Sequence, residues 1–425
     1  MQELKHVLLI TYYWPPAGGP GVHRWLRLSK YFYENGFQLY VYCPKDAAWP
    51  IIDNNLCKQV DSHIIEIRNT IFEPHKYLGK KNNPNVGGGL TQDKRSSFLQ
   101  KLIIWTRGNL FIPDARVFWI KPSVKFLSQY LRQHPEIKTI ISTGPPHSLH
   151  VIALHLKKLF PIKWIADFRD PWTQIDFYEE LKTGKRADLK QKKLEKECLQ
   201  KADEIITVSK FCGEGLQNIV PRTIHIITNA YPFPEKTERN KAFTGFSLAH
   251  FGSISNSRNP ELLWEVLGEL VNENEDFKKE LQIVLAGAVD FSVFSSIEKN
   301  GLKPFLFHFS MLSHEESIKK QKESALLLLL ANKTGNTKGI LTGKVFEYLA
   351  AYRPILAFGE NGGDLQELIE NTQAGSFFTY QEKSALKNTL KEYYQLYKEN
   401  NLEVNSVNLS LYDSKEQVKK IFQLL

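Results

Sequence analysis

Ser247-Leu-Ala-His-Phe-Gly-Ser-Ile-Ser-Asn-Ser-Arg-Asn-Pro260 reads as a strand, a loop and the start of a helix. A short apolar run ends at Gly252, a loop of small residues follows, and Arg258 stands just before a helix opened by Asn259-Pro260. The same design stands at the start of the chain. A strand over His6–Tyr12 leads into Trp14-Pro-Pro-Ala-Gly-Gly-Pro-Gly-Val-His-Arg24 and then into a helical pattern with Val22, Trp25, Ser29 and Phe32 on one face. A series of strands that begins again near residue 245 implies two sheets.

Apolar runs alternate with amphipathic stretches along the whole chain. The first half offers strands at His6–Tyr12, Gln38–Cys43, Ile64–Ile67, Thr139–Ser142, Lys163–Asp167, Glu204–Val208 and Thr223–Thr228. The second half offers Ser247–Gly252, Gln282–Ala286, Phe305–Phe309, Ala325–Leu330 and Pro354–Phe358. Continuous apolar runs are the mark of strands buried on both faces, and the spacers are long enough for crossover helices. The expected fold is therefore α/β, with two facing Rossmann-like, doubly wound parallel sheets. The first domain is expected over residues 1–230 and the second over 242–405. Ala230–Lys241, with two prolines and a polar run, reads as the linker, and the amphipathic segment 412–425 is expected to pack back on the first domain.

The 425 residues carry a net charge of +9, and 42% hydrophobic with 24% charged residues excludes a disordered chain. The charge is uneven. Residues 1–228 hold 33 Lys and Arg against 21 Asp and Glu, and the remainder hold 22 against 25. One basic face on one domain fits this better than a nucleic-acid coat, and no nucleic-acid module is recognisable despite a pI of about 9.0. Cys43, Cys57, Cys198 and Cys212 are too scattered for a disulfide framework, and no two have CxxC spacing. The N-terminal apolar run is too short for a signal peptide, and the longest later one, Ala325–Ala331, has the length of a buried strand. A cytoplasmic protein is expected.

Gly18, Gly19 and Gly21 lie between a strand end and a helix start, where backbone can approach an anion. A plain tight turn explains them as well. A dinucleotide fingerprint does not fit, because the third glycine and the ribose-binding acid are missing. Gly252 and Ser253 open the equivalent loop of the second domain, where Arg258 is either a phosphate ligand or a surface arginine. Gly339-Ile-Leu-Thr-Gly-Lys344 leads into a helix carrying Glu347, and Lys344 and Glu347 share its first turns. Gly343 and Lys344 suit a diphosphate, and Glu347 suits two vicinal ribose hydroxyls. An i, i+3 ion pair would explain the two charges but not the Gly-Lys entry. Three residues between Gly339 and Gly343 exclude a P-loop.

In this order, Pro15-Pro-Ala-Gly-Gly-Pro-Gly21, Asp167-Phe-Arg-Asp-Pro-Trp172, Lys201-Ala-Asp-Glu-Ile-Ile-Thr-Val-Ser209, the Gly252 loop and Gly343-Lys-Val-Phe-Glu-Tyr-Leu-Ala350 resemble the retaining glycosyltransferases of family 4, which have the GT-B fold. The resemblance covers roughly residues 4–375. It implies a metal-independent hexosyltransferase that needs no cofactor, with a nucleotide-sugar as co-substrate. The donor would bind the second domain, and a lipid-linked or polysaccharide glycan acceptor would bind the first. Glu347 matches the second acid of the family's Glu-x7-Glu motif, while Gly339 stands where the first would be and Ser253 where the family has arginine. The glycine loop would close over the donor phosphates, and Arg258 and Lys344 would stabilise the departing diphosphate. Asp170 and Arg169 are the candidate contacts to the reacting sugar or acceptor. Asp167, His147 and His150 are further acceptor-side candidates, each also readable as a local structural residue. No DxD occurs, which agrees with this class.

Arg95–Arg107 with Asn109–Trp119 mixes aromatic, aliphatic and basic residues, and Lys182–Lys201 reads as a lysine-rich helix. Together they suit docking on an anionic membrane, although a core helix and a solvated helix explain them too. Two other functions remain open at this point: a sugar-nucleotide epimerase on a similar fold, and a non-catalytic nucleotide-sugar-binding or scaffold protein.

Overall fold

The structure is a computed structural model that describes residues 4–74, 98–175, 178–233, 245–310, 312–333 and 337–425. Two compact units result, one of residues 1–230 with 414–425 and one of residues 231–413.

The first unit holds β1 (Lys5–Ile10), β2 (Phe37–Pro44), β3 (Ile65–Asn69), β4 (Ile137–Gly144), β5 (Lys163–Phe168), β6 (Glu204–Thr207) and β7 (His225–Ile226). They form one sheet in the order β3-β2-β1-β4-β5-β6-β7, parallel throughout. Alternation along β1 sends Leu8 and Ile10 into one core and Val7 and Leu9 into the other. Helix Pro20–Ser29 covers one face, burying Val22, Trp25, Leu26 and Leu28. The C-terminal helix Ser414–Phe422 joins the same layer. Val418 and Ile421 are buried there, Phe422 stacks on Phe37 at 4.8 Å, and Gln417 accepts a 2.9 Å hydrogen bond from Thr228 N.

The second unit repeats the scheme with β8 (Phe246–Phe251), β9 (Leu281–Ala286), β10 (Leu306–Phe309), β11 (Leu326–Leu330), β12 (Ile355–Phe358) and β13 (Gly375–Phe378). The order is β10-β9-β8-β11-β12-β13, again all parallel. Five successive leucines make β11, with Leu326, Leu328 and Leu330 in one core and Leu327 and Leu329 in the other. In both sheets the chain winds outward one way and then returns to start beside the first strand. The returns create switch points between β1 and β4 and between β8 and β11, where open α/β sheets bind ligands at the carboxyl ends of their strands.

The sequence reading missed β13, an edge strand opened by glycine, and it overextended β7. The segment expected as a linker lies mostly outside the described residues, as do Arg95, Ser96 and Ser97 of the first docking stretch. Lys182–Lys201 becomes helix Lys185–Lys201, with Ala187, Gln191, Glu195, Cys198 and Leu199 inward and Lys190, Lys192 and Lys193 exposed.

Candidate functional site

In the second unit the carboxyl end of β8 and the start of helix Gly343–Ala350 meet. Gly252 has φ of 126°, a region that a side chain rarely adopts, and a Cβ built on it would overlap the Lys344 side chain. Gly287, after β9, has φ of 125°, and its Cβ would stand 2.6 Å from Gly252 O. The glycines thus let Lys344 lie across the strand ends. Burial and then the Arg258 guanidinium bring the Lys344 ammonium down to about 8, with Glu347 acting the other way. Its ammonium makes no hydrogen bond or ion pair among the described residues.

Arg258 sits on a short 3-10 turn, Asn256–Arg258, and its Nε donates to Asn332 Oδ1 at 2.5 Å. The turn is braced from below. Asn259 is fully buried, donates to Ser292 O and Ser296 Oγ, and accepts from Trp264 Nε1 at 2.9 Å. Lys333 joins from the end of β11. Its amide donates to Ser257 O at 3.0 Å and its ammonium lies 4.7 Å over the Tyr380 ring. A Cβ on Gly343 would meet nothing within 4 Å, so the first turn of the helix is open to a close approach. Two cations and an uncapped helix start at a switch point can hold a diphosphate, and their partial burial strengthens each interaction. Glu347 is one turn along, and Ser253 directly follows Gly252.

Sequence reasoning overlooked His250, which lies on β8 and is 2% exposed. Its ring bonds Leu328 O at 2.8 Å. Burial, then Lys344, push the imidazole down to about 3, so it faces the cations as a neutral group. The available signal was one histidine in an otherwise apolar run. A concavity of about 430 Å³, lined by Pro354, Gly375, Tyr393 and Glu403 among others, lies at the opposite, amino-terminal end of β12 and β13 and shares no residue with this group.

In the first unit Asp167 has the surroundings of a structural carboxylate. It is fully buried, and it accepts from Arg24 Nε at 3.0 Å, Arg24 Nη2 at 3.1 Å, Trp25 Nε1 at 2.8 Å and Thr143 Oγ1 at 2.8 Å. Arg169 spans two loops. Its guanidinium donates to Gly21 O at 3.0 Å and Pro145 O at 3.4 Å, while Nε stands 3.4 Å from Asp170. Asp170 is half exposed. The structure therefore brings Arg169, Asp170 and the Gly21 loop together and sets Asp167 beneath them.

The two histidines are also inside. His147 stacks on Trp172 at 4.7 Å, and His150 shares a 2.8 Å hydrogen bond with Ser142 Oγ, which accepts from Trp164 Nε1. Burial pushes His150 down to about 3 and His147 well below its ordinary value, so both are neutral near pH 7. Gly19 has φ of 85°, while Gly18 and Gly21 are packed so that a Cβ would stand 2.7 Å from Ile51 and 2.8 Å from the Tyr13 ring. Among the described residues, no group of three or more His, Cys, Asp or Glu is placed to hold a metal ion.

No family model and no curated protein sequence matches the chain. Solved structures do. Sucrose-phosphate synthase from Thermosynechococcus elongatus superposes with a TM-score of 0.61 at 14% identity, covering 99% of this chain and 98% of its own. WaaG, a glycosyltransferase involved in lipopolysaccharide biosynthesis, gives 0.55 at 12% identity, over 99% and 95%. A putative UDP-N-acetylglucosamine 2-epimerase from Listeria monocytogenes gives 0.56 at 10% identity, over 99% and 95%. What these likenesses share with the chain is the fold, two Rossmann-like parallel α/β units in the GT-B architecture.

Proposed function

We propose that the protein is a metal-independent glycosyltransferase of the retaining kind found in family 4, moving a hexose from a nucleotide-sugar to a glycan or lipid-linked acceptor. The observation that carries this is the Lys344 ammonium, half-buried and without a hydrogen bond among the described residues, held across Gly252 beside Arg258 at the β8/β11 switch point. In this reading Lys344, Arg258 and the Gly343 amide take the donor diphosphate, Gly252 and Ser253 line its approach, and Glu347 holds the ribose. The donor needs no further cofactor.

The chemistry asked of the protein is positioning and charge stabilisation. The bond from anomeric carbon to phosphate oxygen breaks, the acceptor oxygen bonds to that carbon on the same face, and its proton passes to the departing phosphate. Lys344 and Arg258 stabilise the charge that grows on the diphosphate. Arg169 and Asp170, tied to the Gly18–Gly21 loop, orient the acceptor on the first unit.

The same unit suits a membrane surface. Leu102 and Trp105 on helix Phe98–Asn109, with Leu110, Phe72 and Phe118, are all exposed, and this unit carries the chain's positive excess. No helix among the described residues is long and apolar enough to cross a membrane. A cytoplasmic enzyme docked on the inner face fits this surface. Reversing the charges of Lys190, Lys192 and Lys193 should then weaken binding to anionic vesicles, and unchanged binding would remove this part of the reading.

Nucleotide-sugars screened for thermal stabilisation test the whole. A ligand at 100 times its Kd adds about 2.7 kcal/mol. The hit should support transfer to an acceptor, with turnover lost in Lys344→Ala and Glu347→Ala. Epimerisation of the donor without an acceptor, or binding without any turnover, would replace the transferase reading.

A further inference from the structure

The second unit contains a cavity of about 430 Å³ lined by Pro354, just before β12, and Gly375, the first residue of β13. A volume of that order suits a small organic ligand. β12 has four residues, so at about 3.3 Å each the cavity lies roughly 13 Å along the sheet from the carboxyl ends where the diphosphate candidates stand. A ligand here binds apart from them. The buried part of the lining is apolar, with Pro354, Ile369 and Val404. The exposed part is polar, with Glu370, Gln373, Glu403 and Asn405. Tyr393 completes the wall, and its hydroxyl shares a 2.8 Å hydrogen bond with Ser376 Oγ that fixes the ring. No Lys, Arg or His is among the described lining residues.

Gln373 is the informative residue. It ends helix Asp364–Thr372 with φ of 51°, the left-handed region in which glycine is the usual terminator. The helix end makes no demand on its side chain. Ile369 O accepts from Ala374 N at 3.3 Å and Glu370 O from Gln373 N at 3.2 Å. Asn371 O accepts from Asn408 Nδ2 at 3.0 Å, and Thr372 O from Val407 N at 2.9 Å. With these carbonyls satisfied, glycine would serve the fold better. Glutamine stands there instead, and among the described residues its side-chain amide makes no hydrogen bond. A backbone held in this region to keep a polar side chain at a cavity points to a ligand.

We propose that this cavity binds a neutral, hydroxyl-rich glycan, as a second sugar site of the chain. The carboxylates of Glu370 and Glu403 accept hydrogen bonds from hydroxyls, and the amides of Gln373 and Asn405 both donate and accept. The Tyr393 ring and Pro354 suit the C–H face of a hexose. The negative lining turns away phosphates, nucleotides and acidic glycans. Carboxylates and an aromatic ring alone would suit an organic cation, and it is the amides that select hydroxyls. The role of the site rests on the transferase reading: it holds the glycan being extended, or the product, away from the donor.

The test is titration calorimetry on the full chain, with maltoheptaose, cellohexaose and mannohexaose as neutral probes and spermine as the cationic one. At least one oligosaccharide should bind. Gln373→Gly, which relieves the backbone, should leave the melting temperature unchanged or higher and yet weaken that binding a few-fold to about tenfold. Glu370→Ala should weaken it about tenfold or more. Binding that survives in Asp170→Ala but falls in these two variants assigns the glycan to the cavity. The site is overturned if no oligosaccharide binds, if binding falls only in Asp170→Ala or in none of the variants, or if spermine alone binds through Gln373 and Glu370. Should no nucleotide-sugar stabilise the unsubstituted chain, the transferase reading fails separately, while glycan binding that depends on Gln373 would still stand.

Discussion

The affinity of the chain for a nucleoside diphosphate should fall as pH rises above about 8, and Lys344 should be the cause. Its ammonium is brought from 10.5 to about 8, first by burial and then by Arg258. At 1.36 kcal/mol for each unit, holding that charge in the empty protein costs about 3 kcal/mol. An anion beside the ammonium offsets this cost, so above pH 8 binding must draw a proton from solvent. At pH 9 about one molecule in ten is already charged, and the affinity should be about tenfold weaker than at pH 7. Titration calorimetry at pH 9 in two buffers of different ionisation enthalpy reads the proton directly, and close to one should be taken up per ligand bound. Lys344→Met removes the uptake and flattens the profile, and comparison with it subtracts any titration of the ligand. Stability without ligand has the opposite trend. Below pH 8 the folded and unfolded lysines are both charged and the fold carries the full cost. Between 8 and 10.5 only the folded one has lost its proton, so stability rises across that window. Binding at pH 9 without proton uptake, or an identical pH profile in Lys344→Met, would refute the placement of this ammonium beside the ligand.

Asp167→Ala should destabilise the chain by about 3–5 kcal/mol in urea unfolding, because Arg24 is left charged and unpaired in the interior. Gly252→Ala should cost about 1–3 kcal/mol through its positive φ and should also displace Lys344. Diphosphate binding in that variant should therefore be lost beyond what stability explains, as calorimetry below its melting point would show. Deleting residues 414–425 exposes the partners of Val418 and Ile421, and at about 1.5–3 kcal/mol for each side chain the first unit should melt markedly earlier in calorimetry.

Much of the fold was legible because parallel sheets covered on both faces leave a coarse signature. Six buried residues in β8 and five leucines in β11 need no partner to be recognised. The elements that escaped are those whose pairing comes from outside. β13 is Gly-Ser-Phe-Phe at a sheet edge, and β7 pairs through only two residues. The candidate site divides along the same line. Lys344 and Glu347 were visible because helix periodicity joins residues three apart, and Arg258 because it closes a strand–loop–helix unit. The contact of Lys344 with Gly252 was not visible, since it joins two loops that only the β8/β11 adjacency brings together.

In the sequence Asp167 belongs to a polar segment after a strand, and with Arg169 and Asp170 it reads as one cluster of site residues. Their separation follows from the pleat and from one distant residue. Asp167 is the fifth residue of β5, paired with Thr143, and it turns into the layer where Arg24 and Trp25 arrive from the glycine-loop helix 142 and 143 residues away in sequence. Arg169 comes after the strand has ended and reaches the loop backbone instead. Local pattern therefore finds which segment stands at the carboxyl end of the sheet. Which of its acids stays available depends on whether a distant cation has already neutralised it. By that criterion Arg24 has claimed Asp167, while Asp170 remains half exposed.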